Sequence, residues 1–140
     1  MNNTVLYVED DPAYIELFIK ILKDSNLIIH TAKNGTEGGD MYEKLTPPLV
    51  FLDIHLPGIP GYVVLRRIKK FATDNHLSVK IVMLTSQNSK DDVKKAISYG
   101  ADDYMVKPYT KQILFAKIKL HLPGFALPEN QEENGVHTFF

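Results

Sequence analysis

Five polar residues stand where apolar runs end in this chain. Glu9 and Asp10 follow Val5-Leu6-Tyr7-Val8, and Asp53 follows Leu49-Val50-Phe51-Leu52. Thr85 follows Lys80-Ile81-Val82-Met83-Leu84, and Lys107 follows Asp103-Tyr104-Met105-Val106. Three carboxylates gathered at one place repel by about 4 kcal/mol per pair at 4 Å and an effective dielectric near 20, so a cation must offset them. All-oxygen donors select a hard ion, and Mg2+ is the usual choice where a few carboxylates, waters and a phosphate share a site. Lys107 adds a fixed positive charge and Thr85 a hydroxyl donor, a set suited to a phosphoryl group. Asp53 is then the nucleophile candidate, forming an acyl phosphate. Taken alone, each residue has a plainer explanation as a turn former, a cap or a strand-end polar group.

For these residues to meet, the runs that carry them must be strands of one sheet. Leu49–Leu52 is continuously apolar, as a strand buried on both faces is. After Val5–Val8, Asp11 is placed as an N-cap and Pro12 suits a first helical turn. Tyr14, Ile15, Phe18, Ile21 and Leu22 recur at helical spacing, and this helix ends near Ser25-Asn26. Leu27–Ala32 reads as a second strand and Asn34-Gly35 as a loop. Met41, Tyr42 and Leu45 fit a helical face over Thr36–Leu45, but Gly38 and Gly39 cost about 1 kcal/mol each against alanine, so a frayed or mobile helix is predicted. Pro47-Pro48 ends it.

Beyond the Pro57–Gly61 loop, Val64, Leu65, Ile68 and Phe71 line a helix whose basic residues Arg66, Arg67, Lys69 and Lys70 are read as a solvated face. Ser89-Lys90-Asp91-Asp92 has the form of a capping box, opening a helix through Val93, Ala96 and Ile97 that stops at Gly100. Thr110 caps the last helix, which carries Ile113, Leu114, Ile118 and Leu122, and Pro123-Gly124 breaks it. Residues 1–122 are thus read as one domain. Residues 123–140, with the polar run Glu129–Gly135, are read as a flexible tail or linker.

Strand and helix alternate five times, which predicts an α/β fold with a parallel sheet covered on both faces. Right-handed crossovers leave few topologies, and for five strands the doubly wound, flavodoxin-like order 2-1-3-4-5 with five flanking helices is one of the common ones. Ligands in such sheets bind beyond the carboxyl ends of the strands, where strand order reverses between the first and third. All five polar residues belong at that edge.

Composition narrows the classes further. The chain has 140 residues, 44% hydrophobic and 24% charged, the balance of one globular domain. A net charge of −1 gives no electrostatic footprint for nucleic acid or an anionic membrane. With no cysteine, thiolate metal sites and disulfides are excluded. No signal peptide or membrane-length apolar run is apparent, and a cytoplasmic location is expected.

Val8-Glu9-Asp10-Asp11-Pro12, Leu52-Asp53-Ile54-His55-Leu56-Pro57-Gly58, Thr85-Ser86 and Gly100–Tyr109 closely resemble the receiver domain of two-component response regulators, from about Thr4 to Leu122. The resemblance implies that Asp53 accepts phosphate from a phosphohistidine on a sensor histidine kinase or a histidine phosphotransfer protein. It implies that Glu9 and Asp10 hold Mg2+ together with Asp53 and the His55 backbone carbonyl. Thr85 matches the hydroxyl residue that bonds a phosphoryl oxygen, Tyr104 the switch aromatic that follows it, and Lys107 the lysine that contacts the phosphoryl group. Lys107-Pro108 matches a position where the family has a cis peptide. The fourth helix, fifth strand and fifth helix are implied as the surface for a downstream protein partner or a homodimer. The His55 imidazole is expected to point to solvent. Pro60 and Gly38-Gly39 depart from the family pattern.

Three rivals bear on the same residues. A haloacid-dehalogenase-type phosphatase needs a second aspartate where His55 stands. A flavin-binding protein needs a hydroxyl- and glycine-rich phosphate loop where Glu9-Asp10-Asp11 would repel the phosphate. A phosphorylation-independent pseudo-receiver is the third, and the intact acid pair, Asp53, Thr85 and Lys107 argue against it. The chain is therefore read as a signalling receiver that catalyses only its own phosphorylation and dephosphorylation.

Overall fold

A computed structural model of the chain describes residues 2–86 and 90–128. Five parallel strands run in the order β2-β1-β3-β4-β5. These are β1 (Thr4–Val8), β2 (Ile28–Ala32), β3 (Leu49–Asp53), β4 (Lys80–Thr85) and β5 (Asp103–Val106). They alternate with α1 (Pro12–Leu22), α2 (Gly35–Leu45), α3 (Gly61–Asp74), α4 (Lys90–Ser98) and α5 (Lys111–His121). The fold is the expected doubly wound one.

The apolar runs resolve into two cores because side chains alternate across a strand. Leu6, Val8, Val50, Leu52, Ile81 and Met83 meet Tyr42, Val64, Leu65, Ile68 and Ala96 on the face covered by α2, α3 and α4. Val5, Tyr7, Leu49, Phe51, Val82 and Leu84 meet Phe18, Leu22, Leu114 and Ile118 on the face covered by α1 and α5. A strand flanked on both faces needs an unbroken apolar run, which is what β3 has. Asp11 Oδ1 caps α1 by accepting from Ala13 N, and Thr110 Oγ1 caps α5 by accepting from Ile113 N. Ser89 of the expected capping box lies outside the described residues.

Two local expectations are corrected. The helix over Gly38-Gly39 is a regular eleven-residue element, not a frayed one. Its glycines sit where the helix closes on its neighbours: a Cβ on Gly38 would lie 2.9 Å from both Val8 methyls, and one on Gly39 would lie 2.6 Å from Arg67 Cζ. Burial of Tyr42 and close packing on β1 outweigh the propensity loss. Nor is the basic cluster of α3 simply solvated. Arg67 Nε donates to Glu43 Oε2 at 2.6 Å and its Nη2 to Asp40 Oδ1 at 2.7 Å, tying α3 to α2. Lys69 Nζ donates to Asp102 Oδ2 at 2.8 Å, and the Arg66 guanidinium lies 5.1 Å from the Tyr99 ring centre.

Past α5 the chain folds back. Phe125 is buried beside Phe115, and Asn26 exchanges hydrogen bonds with Ala126 through its backbone N–H and its side-chain Oδ1. Packing thus continues through residues 123–128, while residues 129–140 lie outside the described residues.

Candidate functional site

Because the sheet is parallel, Val8, Asp53, Thr85 and Val106 all end their strands at one edge. Order reverses between β1 and β3, so Glu9 and Asp53 flank the crevice that results. Gly61 at the start of α3 allows this close fit: a Cβ there would fall 2.8 Å from Ile54 Cα and against the Asp53 carbonyl.

The carboxylates of Glu9, Asp10 and Asp53 each present an oxygen within 4.8 Å of the others. Glu9 is fully buried, Asp53 nearly so, and Asp10 is exposed. Three convergent carboxylate oxygens fit a hard divalent ion such as Mg2+. Asp53 is held from two sides: Oδ1 accepts from the His55 backbone N–H at 2.9 Å, and Oδ2 from Lys107 Nζ at 2.9 Å. Lys107 Nζ also contacts Glu9 Oε1 and lies 4.4 Å from the Tyr14 ring centre. The other Glu9 oxygen accepts from Asp11 N at 3.2 Å.

The electrostatics follow from burial and crowding. Burial pushes the Glu9 carboxyl up to about 7; the hydrogen bond from Lys107 opposes that rise and Asp53 adds to it. For Lys107, burial alone would lower the ammonium, but hydrogen bonds to Glu9 and Asp53 hold it above the ordinary lysine range.

Thr85 is buried, and its hydroxyl donates to Ser86 O at 3.1 Å. Tyr104 is 43% exposed and turned outward, beside a groove of about 330 Å³ lined by Thr85, Lys90, Val93, Lys94 and Val106. The Lys107–Pro108 bond is cis. The His55 imidazole is exposed, as expected, but it is engaged: Nε2 lies 3.0 Å from Asp92 Oδ2 on α4. Glu9, Asp10, Asp53 and Lys107 thus meet around one crevice, Thr85 ends the neighbouring strand at the same edge, and Tyr104 stands apart beside the groove next to Thr85.

Sequence reading missed the inner wall of that crevice, formed by Tyr7, Tyr14 and Tyr109. Tyr7 Oη donates to Glu9 Oε1 at 3.2 Å and lies 3.4 Å from Tyr109 Oη, and the Tyr14 and Tyr109 rings are 5.8 Å apart. Part of the signal was present, since residues two apart on a strand share a face.

Fold and site together define an α/β protein of the flavodoxin-like class, with an acidic, lysine-bearing crevice at its switch point. The family model for the response regulator receiver domain matches residues 5–119. The chain belongs to that family, the receiver modules of two-component signalling. It is 36% identical to the transcriptional regulatory protein AfsQ1 of Streptomyces coelicolor, over 83% of this chain and 49% of that one. It is 32% identical to the cell cycle response regulator CtrA of Brucella ovis, over 81% of this chain and 47% of that one. The chain therefore spans about half the length of these relatives. Among solved structures, a CheY-like receiver protein from Methanospirillum hungatei superposes with a TM-score of 0.79 at 28% identity, covering 88% of this chain and 95% of that one. The receiver domain of Ssk1 from Saccharomyces cerevisiae, crystallised with the histidine phosphotransfer protein Ypd1, superposes with a TM-score of 0.78 at 30% identity, covering 84% of this chain and 87% of that one. Among the described residues, no helix is long and apolar enough to cross a membrane.

Proposed function

We propose that Asp53 is the phosphoacceptor of this receiver, taking a phosphoryl group from a phosphohistidine on a sensor histidine kinase or histidine phosphotransfer protein. The observation that carries this is the seating of Asp53 at the switch point, 2.9 Å from Lys107 Nζ and within 4.8 Å of two further acids. An Asp53 oxygen attacks phosphorus as the bond from phosphorus to the donor imidazole breaks. The electron pair returns to the imidazole nitrogen, and an acyl phosphate forms. Glu9, Asp10, Asp53 and the His55 backbone carbonyl would hold Mg2+, which when bound screens the negative charge gathered there. Lys107 orients the carboxylate before transfer and meets a phosphoryl oxygen after it.

The response runs through Thr85 and Tyr104. A phosphoryl oxygen on Asp53 draws the Thr85 hydroxyl away from Ser86 O, and the outward Tyr104 ring then turns toward the groove beside Thr85. These changes alter the face built by α4, β5 and α5, where Ile97, Ile113 and Leu120 expose apolar surface to a downstream protein partner or a second copy. The module works by protein contact and not on a separate substrate.

The test is incubation with acetyl phosphate and Mg2+, followed by intact mass measurement. The wild type should gain one phosphoryl group and Asp53→Asn none. A wild type that binds Mg2+ yet stays unmodified would instead make the chain a phosphorylation-independent interaction module.

A further inference from the structure

The fully buried Glu9 carboxylate has three donors around it: Lys107 Nζ and Tyr7 Oη on Oε1, and the Asp11 N–H on Oε2. Lys107 shares its ammonium between two acids, since it also donates to Asp53 Oδ2. Tyr7 lies two residues before Glu9, on the same side of β1, and is itself fully buried with its ring 4.3 Å from that of Phe18. Its hydroxyl gives its proton to Glu9, so the contact with Tyr109 Oη places Tyr109 as donor to Tyr7. The result is a directed chain from Tyr109 through Tyr7 to Glu9, joining the segment after β5 to the end of β1.

We propose that Tyr7 and Tyr109 are positioning residues that fix the Glu9 carboxylate for a divalent cation, Tyr109 acting only through Tyr7. This rests on the Mg2+ reading of the preceding section. When Lys107 turns to a phosphoryl group, Glu9 Oε1 loses its ammonium neighbour, and Tyr7 Oη is the donor that stays. Groups that orient metal-ligating carboxylates in this way typically cost 10–100-fold in affinity when removed.

The experiment is a Mg2+ titration by calorimetry on the full chain, comparing wild type, Tyr7→Phe, Tyr109→Phe and the double variant, with melting followed in metal-free buffer. Phenylalanine keeps each ring and removes only the hydroxyl. Tyr7→Phe should weaken Mg2+ binding about tenfold or more, Tyr109→Phe should weaken it less, and the double variant should match Tyr7→Phe, since a residue acting through another is not additive with it. Unchanged affinity in Tyr7→Phe, or additive losses in the double variant, overturns the proposal. If Tyr7→Phe does not fold, Tyr109→Phe decides alone: weaker Mg2+ binding at an unchanged melting temperature supports the chain of hydroxyls, and equal affinity overturns it. A wild type that takes up no Mg2+ brings down the metal reading itself, and the proposal with it.

Discussion

Asp10 is the carboxylate of the site with the least to hold it in place. It is exposed and makes no hydrogen bond or ion pair among the described residues, yet it shares a 4.8 Å cluster with Glu9 and Asp53. At that separation two unit charges repel by about 0.9 kcal/mol in bulk water and about 3.5 kcal/mol at an effective dielectric of 20. Exposure of Asp10 favours the lower figure. Burial drives Glu9 toward its neutral form, which weakens one of the two repulsions. Asp10→Asn, which keeps the shape and removes the charge, should therefore stabilise the metal-free protein by about 1 kcal/mol, a rise of roughly 3–5 °C in melting temperature. The same substitution removes one of the three carboxylates proposed to hold Mg2+. Mg2+ at a hundred times its dissociation constant should stabilise the wild type by about 2.7 kcal/mol and the variant far less. Thermal melts of both proteins with and without Mg2+ read the two effects, and the order of stability should reverse on adding the ion. A metal-free Asp10→Asn that melts below the wild type, or one that keeps the full Mg2+ response, refutes the crowding argument.

Two further outcomes concern the frame around the site. Gly38→Ala places a Cβ 2.9 Å from the Val8 methyls; overpacking of about 1–3 kcal/mol outweighs about 1 kcal/mol of helix propensity, so urea unfolding should show a less stable protein. A stabilised variant would mean that Val8 yields freely. Asp103 is the second case. Burial tends to raise its carboxyl, but hydrogen bonds from Lys117 and with His121, both at 2.8 Å, prevail and hold it below the usual aspartate range. A carboxyl lowered on folding stabilises the protein above its unfolded pKa near 3.9, and that contribution disappears as pH falls through the lower folded value. Asp103→Asn should thus cost about 1–2 kcal/mol at pH 7 and progressively less in acid. An equal cost at pH 7 and below pH 3 would point to packing alone.

How much of this was legible in the chain depends on whether the information is local. The convergence of Glu9, Asp10, Asp53, Thr85 and Lys107 could be read because each ends a strand, and parallel topology sends every such end to one edge. The helix over Gly38-Gly39 was misjudged because propensity is local, whereas the fit of Gly38 to Val8 and of Gly39 to Arg67 exists only once α2 has packed on β1 and α3. The ion pairs of Arg67 reach back 24 and 27 residues to Glu43 and Asp40, so periodicity on α3 marks a basic stripe but not its partners. The tyrosine wall lies between these cases. Alternation along β1 puts Tyr7 on the side of Glu9, but the hydroxyl that meets it belongs to a residue 102 positions away. Strand ends thus reveal which polar groups gather at the edge, while the groups that hold them in place come from distant positions and depend on packing.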